Sequence, residues 1–280
     1  EEDENEVVLN PDELLDCDEP SEFMPSNAGT AANVRDTLMS NDSFYLMCEQ
    51  LNQGQTSLFN YIITYVQLRR WAENNNRECP EPFYIYLSGP GGVGKKHLIK
   101  VIAEYCRRNL KWPGQNANQP AIMLTASTGK AAAQIHGTTV HSAFGLPVKQ
   151  KFQRDDKKLQ LLNTKFKYLT LVVLDEISML DNQTFQHLDR QMQLIMENDS
   201  DLGGVSFLIS GDFLQLPPAG GSPVYKLSQN ADYANLAGCL WKRLFYIYEF
   251  TEIVRQSGDP EFASMLSRIR EAKHTENDMY

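Results

Sequence analysis

The chain has 280 residues, of which 42% are hydrophobic and 22% are charged, and its formal net charge is −10. A chain of this size and composition can bury a sizeable core, which excludes a wholly disordered protein and fits one large domain or two small ones. Its apolar runs are shorter than the about 18 residues that a membrane helix needs, and it shows no signal-peptide pattern, so we expect no membrane partner.

The negative charge is concentrated at the start of the chain. Residues 1–40 carry twelve acidic residues and one basic residue, whereas residues 41–280 carry 24 acidic and 25 basic residues. The acidic stretch has too little apolar surface to offset the entropy cost of ordering, so residues 1–42 are interpreted as a disordered linker, with a partner-binding tail as the alternative. Because the chain begins with Glu1 rather than Met, we expect it to be part of a longer protein.

The five cysteines, at positions 17, 48, 79, 106 and 239, form no C-x-x-C pair. Their scattered spacing argues against a zinc site and against a disulfide framework, and it favours a reducing compartment. Each cysteine is interpreted as a packing residue rather than a ligand.

After the acidic segment, β-rich runs alternate with helical stretches. Helical spacing of apolar residues predicts a first helix over 56–73. The remaining elements are predicted strands at 83–87, 121–127, 168–176, 204–212 and 244–250, and predicted helices at 95–110, 128–137 and 182–197. Near-continuous apolar strands that alternate with helices are typical of an α/β fold with a mainly parallel sheet and helices on both faces.

The turn after the first predicted strand has the spacing of a phosphate-binding loop, G-x-x-x-x-G-K-[ST]. Glycines let backbone N–H groups approach a phosphate, and a lysine neutralises its charge. The eighth position, however, is Lys96 instead of a hydroxyl residue that would hold magnesium, and an ammonium group has no lone pair for a metal. The residues of this loop that we expect at the nucleotide are Gly89, Gly91, Gly92, Val93, Gly94, Lys95 and Lys96.

Two later strand ends carry polar residues that suit the same site. Asp175 and Glu176 follow an apolar strand directly, where an Asp can hold magnesium and the adjacent Glu can accept a proton from an attacking water. Gln215, in "ISGDFLQLPP", follows the next predicted strand, where an amide can sense a terminal phosphate. The alternative for this last stretch is that Asp212 and Gln215 only form a turn stiffened by the prolines that follow.

Six ordered stretches together resemble the PIF family of superfamily 1B DNA helicases. They are "LNQGQTSLFNYI", "GPGGVGKK", "TASTGKAAAQIHGTTVHSAFGL", "VVLDEISML", "GDFLQLPP" and "FTEIVRQSGDPEFASMLSRIREAKHT". The third stretch looks most like the helicase region of Helitron transposon proteins. The resemblance covers about residues 43–280 and implies the first RecA-like P-loop ATPase domain of a helicase, with ATP and Mg²⁺ as cofactors. It further implies ATP hydrolysis stimulated by single-stranded DNA, and 5′-to-3′ unwinding by the full-length protein.

The resemblance assigns a role to each matching position. At the nucleotide, it implies adenine recognition by Gln55, phosphate binding by Lys95, magnesium binding by Asp175, general-base catalysis by Glu176, γ-phosphate sensing by Gln215 and a γ-phosphate contact from Arg255. For single-stranded and fork DNA, it implies contacts from Ser127, Thr128, Gly129 and Lys130 to the phosphate backbone, and from His141 and Phe144 to bases. A buried Phe144 is the alternative for the last residue.

Residues 147–168 are where the family inserts a small wedge that helps part the strands. This stretch carries seven basic and two acidic residues in "VKQKFQRDDKKLQLLNTKFK", which fits a nucleic-acid surface. The alternative is a solvated charged helix.

Two departures from the family pattern qualify the expected function. The chain stops at "ENDMY" soon after the arginine motif, so we expect the second RecA-like domain to be absent and this piece alone not to unwind DNA. Lys96 leaves open a catalytically impaired pseudo-helicase that acts as a DNA-binding or scaffold domain. We expect a monomer in the nucleus, or in the mitochondrion, that works in DNA repair, recombination or transposition.

Overall fold

The structure, a computed structural model, describes residues 38–112, 114–147, 155–226, 239–252 and 260–275. Short 3-10 turns lie at Ile177–Met179 and Asp201–Gly204. The helices and strands of the described residues are, in chain order, α1 (Asn41–Glu49), α2 (Gln53–Asn74), β1 (Tyr84–Ser88), α3 (Lys95–Asn109), β2 (Ile122–Ala126), α4 (Gly129–Gln134), β3 (Thr138–Thr139), α5 (Val140–Phe144), α6 (Asp156–Phe166), β4 (Leu171–Asp175), α7 (Asn182–Met196), β5 (Ser206–Gly211), α8 (Leu240–Leu244), β6 (Tyr246–Glu249) and α9 (Pro260–Arg270).

The six strands form one sheet in the order β3-β2-β4-β5-β1-β6, and every neighbouring pair is parallel. The predicted parallel sheet is therefore confirmed, and each predicted strand and helix is present within about three residues of its predicted ends. In the register, Leu174 of β4 pairs with Ile209 of β5, and Leu87 of β1 pairs with Ser210. The carboxyl ends of these three central strands consequently meet at one edge of the sheet.

Alternate residues of the central strands enter two separate hydrophobic clusters, as the period of two along a strand requires. Leu171 and Val173 of β4 belong to a cluster that α2 and α3 complete, whereas Val172 and Leu174 belong to a cluster that α5, α6 and α7 complete. Because both faces of the sheet are covered, β4 and β5 are buried along their whole length.

The helix predicted at 56–73 begins at Gln53 because Asn52 caps it. The Asn52 side chain accepts a hydrogen bond from the Gln55 backbone N–H, and the Gln55 side chain accepts one from the Asn52 N–H, a reciprocal capping box. Helix α1 was not predicted, and it corrects the linker boundary at residue 42 because α1 already begins at Asn41, capped by Ser40. Residues 1–37 lie outside the described part.

Helix α6 makes up most of the described part of the predicted wedge, and residues 148–154 lie outside it. Leu159, Leu162 and Phe166 of α6 are buried, and the Phe166 ring lies 5.3 Å from that of Phe144. Three apolar residues thus anchor this basic stretch to the core, and its role in parting strands stays a prediction. In the part of the chain that the structure describes, no helix has the length and apolar character needed to cross a bilayer.

Candidate nucleotide site

The phosphate-binding loop joins β1 to α3, as the sequence predicted, and its glycines are required by geometry. Gly94 is the N-cap of α3 with φ +81°, and a Cβ there would collide with the side-chain nitrogen of Gln55. At Gly89 a Cβ would lie 2.6 Å from the Phe250 carbonyl oxygen. The loop is therefore packed closely between α2 and the segment after β6, with its open side at the start of α3.

Lys95, the first residue of α3, fills the loop with its own ammonium group. Its Nζ donates hydrogen bonds to the carbonyl oxygens of Gly89 at 2.5 Å and Pro90 at 2.9 Å. Burial lowers the pKa of Lys95, although the carboxylate of Asp212 acts in the opposite direction. The Lys95 ammonium is thus held inside the loop by two carbonyl oxygens. A bound phosphate could accept these hydrogen bonds in their place and would be neutralised by the ammonium.

Gln55, which the resemblance assigns to adenine, lies against this loop and is only 2% exposed. Its amide nitrogen donates to the Val93 carbonyl oxygen at 3.0 Å, while its amide oxygen serves the cap of α2. In the structure Gln55 therefore ties α2 to the phosphate loop, and adenine recognition stays a prediction.

Asp175 ends β4 and is 1% exposed. Its Oδ1 accepts a hydrogen bond from the hydroxyl of Ser210 on the neighbouring strand, whereas its Oδ2 is buried with no hydrogen-bond partner. Burial raises the pKa of Asp175, and the Ser210 hydrogen bond offsets part of that effect. An unsatisfied buried carboxylate oxygen costs free energy, so its retention marks a position suited to a ligand.

Glu176 follows with φ +57° and ψ +49°, a left-handed conformation that costs free energy for a residue with a side chain. Ser127 holds it there: its hydroxyl donates to the Glu176 carbonyl oxygen at 2.7 Å, and its N–H donates to the Asp175 carbonyl oxygen at 3.2 Å. The strained turn aims the Glu176 side chain at the start of α3.

Lys96 reaches across from α3 to these acids. Its Nζ lies 3.2 Å from Glu176 Oε1 and 3.8 Å from Asp175 Oδ2, and it donates to Gln134 Oε1 of α4 at 2.5 Å. Lys96, the residue that breaks the loop pattern, therefore contacts both the predicted general base, Glu176, and the predicted magnesium ligand, Asp175.

The residues present do not fit magnesium as the loop pattern requires. Asp175 offers a free oxygen, but the ammonium of Lys96 has no lone pair and repels a metal ion beside it.

Asp212, directly after β5, was expected at most to form a turn, but the structure gives it a charged partner. Arg270 of α9 donates two hydrogen bonds to its carboxylate, from Nε at 2.7 Å and from Nη2 at 2.8 Å. Burial alone would raise the pKa of Asp212, but the Arg270 hydrogen bonds, the Leu214 N–H and the charges of Arg270 and Lys95 together outweigh it and lower the pKa. This pair fixes α9 beside the site.

Gln215 lies on the exposed turn after β5, and its N–H donates to the Asp212 carbonyl oxygen at 3.0 Å. Its side chain and that of Glu176 line one open groove of about 610 Å³. The structure thus brings the predicted base and the predicted phosphate sensor to one surface. Arg255 lies outside the described residues.

The predicted DNA segment, residues 127–130, follows β2 at the same edge of the sheet. The hydroxyls of Ser127 and Thr128 already have partners, since Thr128 accepts from the Ala131 N–H and caps α4. Gly129 and Lys130 are exposed. The Ser127 hydroxyl already uses its proton on the Glu176 carbonyl oxygen, whereas Thr128 still has one to donate, so contacts to a DNA backbone would come from residues 128–130.

The prediction that Phe144 stacks on bases is wrong for this conformation. Its side chain is 0% exposed and packs against Phe166, because α5 turns that ring into the core. His141, one turn earlier, is half-buried, and burial lowers its pKa while Asp181 raises it. The aromatic face assigned to DNA is therefore not available.

Three residues that contact the site, Ser210, Gln134 and Arg270, were not predicted from the sequence. Ser210 had a signal, a hydroxyl inside an otherwise apolar strand, but its pairing with Asp175 depends on which strands are neighbours. Gln134 and Arg270 carry no local signal, because their partners lie 38 and 58 residues away in the chain.

Residues 50–279 match the sequence profile described as PIF1-like helicase. The chain is 31% identical over 194 residues to the ATP-dependent DNA helicase PIF1 of Emericella nidulans, covering 68% of this chain and 25% of that protein.

Two solved structures are similar in fold. The Pif1 helicase from Candida albicans superposes with a TM-score of 0.60 at 25% identity, over 81% of this chain and 46% of that one. The Pif1 helicase from Bacteroides in complex with ADP-AlF3 and ssDNA gives 0.51 at 26% identity, over 75% and 47%. These likenesses show that the sheet is that of a RecA-like helicase domain. The chain spans under half of either structure.

Proposed function

Because the chain belongs to the PIF1-like helicase family, we propose that it forms the ATP-hydrolysing motor domain of a DNA helicase. The observation that carries this proposal is the meeting of Lys95, Glu176 and Gln215 at the carboxyl ends of β1, β4 and β5. Ligands of open parallel sheets bind at this edge. Glu176 and Gln215 line one groove there, and Lys95 lies close enough to Glu176 for its ammonium to feel that charge.

In the proposed reaction, the loop N–H groups and the Lys95 ammonium bind the β- and γ-phosphates and neutralise their charge. Glu176 accepts the proton of the water that attacks the γ-phosphorus, and the bond from that phosphorus to the β–γ bridging oxygen breaks, so that ADP and phosphate leave. The groove that Glu176 shares with Gln215 gives that water a place between the base and the amide that senses the terminal phosphate. For this to occur, the Glu176 carboxylate has to leave Lys96.

We also propose single-stranded and fork DNA as the partners of this domain. The similar Bacteroides protein was solved in complex with ssDNA. On this chain the exposed Lys130 and the lysines of α6 supply positive charge that a phosphate backbone needs. The Ser127 hydroxyl donates a hydrogen bond to the backbone of Glu176. A DNA contact that moved residues 127–130 would therefore also shift the catalytic base.

The finer parts of the proposal rest on the family resemblance. They are 5′-to-3′ unwinding, a second RecA-like domain of the same polypeptide that closes over the nucleotide, a monomeric form, a Helitron-like origin, and work in DNA repair, recombination or transposition in the nucleus.

A second candidate function is favoured by the contact between Lys96 and Glu176 at 3.2 Å. The ammonium occupies Glu176 Oε1, an oxygen that would otherwise accept the proton of the attacking water. In that case the chain is a pseudo-helicase that binds DNA without turnover.

One assay separates the two candidates: ATP hydrolysis with and without single-stranded DNA by the wild type, Glu176→Gln and Lys96→Ser. The helicase proposal predicts DNA-stimulated turnover that Glu176→Gln lowers by at least about 100-fold. The exposed Glu78→Gln is the matched control and should leave turnover unchanged. Turnover by Lys96→Ser alone would establish the pseudo-helicase, and turnover insensitive to Glu176→Gln would contradict both assignments of that residue.

A further inference from the structure

Lys96 is held in place by oxygen atoms from two different elements. Gln134 Oε1 lies at 2.5 Å from its Nζ, Glu176 Oε1 at 3.2 Å and Asp175 Oδ2 at 3.8 Å. The side chain is 35% exposed, so about two-thirds of it is covered. An ammonium has three donors, of which Gln134 and Glu176 take two, and the third is free for another acceptor.

The position of this ammonium is where a phosphate-loop protein needs a cation. It extends from the residue after Lys95, at the start of α3, and its charge faces the two acids at the end of β4. Asp175 Oδ2 is buried without a hydrogen-bond partner, and the ammonium of Lys96 lies 3.8 Å from it. Within the described residues, Lys96 is the cation that lies within 4.0 Å of both acids.

A free metal ion would compete with Lys96 for the same oxygens. It would have to displace the ammonium from Glu176 and Asp175 and would then lie beside a like charge. The substitution also removes the hydroxyl that the loop pattern provides as a metal ligand. Both effects weaken metal binding. The Lys96 ammonium itself remains at this position as a positive charge that can bind the phosphates.

We propose that this site binds nucleoside triphosphate in its metal-free form, with the Lys96 ammonium replacing magnesium as the second cation beside Lys95. The inference rests on the proposed nucleotide-binding function and deepens it. When a triphosphate enters, the Lys96 ammonium binds a phosphate oxygen, while Gln134 and Asp175 keep it in position and the Glu176 carboxylate is released to act on the attacking water.

The test is ATP affinity measured by calorimetry on the 280-residue chain, in excess Mg²⁺ and in EDTA. The wild type should change its affinity by less than about threefold between the two conditions. Lys96→Ser restores the hydroxyl and should bind at least about tenfold more tightly with Mg²⁺ than with EDTA. Lys96→Met, which has neither charge nor metal ligand, should bind at least about tenfold more weakly than the wild type in EDTA.

Lys100→Ser, one turn further along α3, is the matched control and should behave as the wild type. Thermal unfolding of each variant checks that it is folded. Wild-type binding that requires Mg²⁺ as strongly as that of Lys96→Ser would overturn the inference and leave the nucleotide site intact. Absence of ATP binding by every variant in both conditions would overturn the proposed function together with this inference.

Discussion

Asp175 at the end of β4 and Asp212 directly after β5 are equally buried, each 1% exposed, yet their surroundings differ. Asp212 receives two hydrogen bonds from Arg270, and its pKa is lowered. Asp175 receives one from Ser210, keeps a buried oxygen without a partner, and its pKa is raised. Burial alone therefore does not identify a functional carboxylate. The carboxylate that folding leaves unsatisfied is the one available for chemistry.

The largest loss of stability should come from removing Arg270, the partner of Asp212. Arg270→Ala leaves Asp212 charged, buried and unpaired, and breaking a buried ion pair in this way should lower the free energy of unfolding by about 3 kcal/mol. Urea unfolding measures it. Lys273→Ala, which removes an exposed ion pair three residues later, should cause no measurable change. A loss no larger than that of the control would show that the Asp212–Arg270 pair contributes nothing.

Neutralising each aspartate should change stability in opposite directions. Asp212→Asn weakens two charged hydrogen bonds and should destabilise the fold by about 2 kcal/mol. Asp175→Asn retains an acceptor for Ser210 and removes a charge that burial disfavours, so it should stabilise the fold by about 1 kcal/mol. Urea unfolding of the two variants at neutral pH gives both values. Destabilisation by Asp175→Asn would mean that its carboxylate is as well satisfied as that of Asp212.

The smallest effect should be the pH dependence of the stability differences between the wild type and these two variants. Because the pKa of Asp212 is lowered, its ionised form stabilises the fold above the pKa of an unfolded aspartate, about 3.9, and this contribution is lost as the pH falls further. Because the pKa of Asp175 is raised, the wild type loses stability relative to Asp175→Asn as the pH rises above about 3.9. Compared with Asp212→Asn, the wild type should lose free energy of unfolding as the pH falls below about 3.9. Compared with Asp175→Asn, it should lose free energy of unfolding as the pH rises above about 3.9, so urea unfolding between about pH 3 and pH 7 tests both trends. Parallel trends would contradict the assigned shifts.

The sequence allowed the strands, the parallel sheet and the groups at the strand ends to be predicted, because each depends on local pattern. Gly94 and Lys95 follow a rule of spacing, and Asp175 follows directly on an apolar run. Contacts between distant segments could not be predicted. The partners of Lys96, the pairing of Asp212 with α9 and the burial of Phe144 depend on how helices pack on the sheet, which no local pattern records.

We propose above all that the edge formed by β1, β4 and β5 binds a nucleotide, with Lys95 as the main positive charge at its phosphates. The most direct test is the affinity for ATP of the wild type and Lys95→Ala, with Lys100→Ala as the control. Loss of a buried charged donor should weaken binding by at least about tenfold, with the control unchanged and both variants folded. Equal affinity of Lys95→Ala and the wild type would contradict the account, because the phosphate would then lie elsewhere.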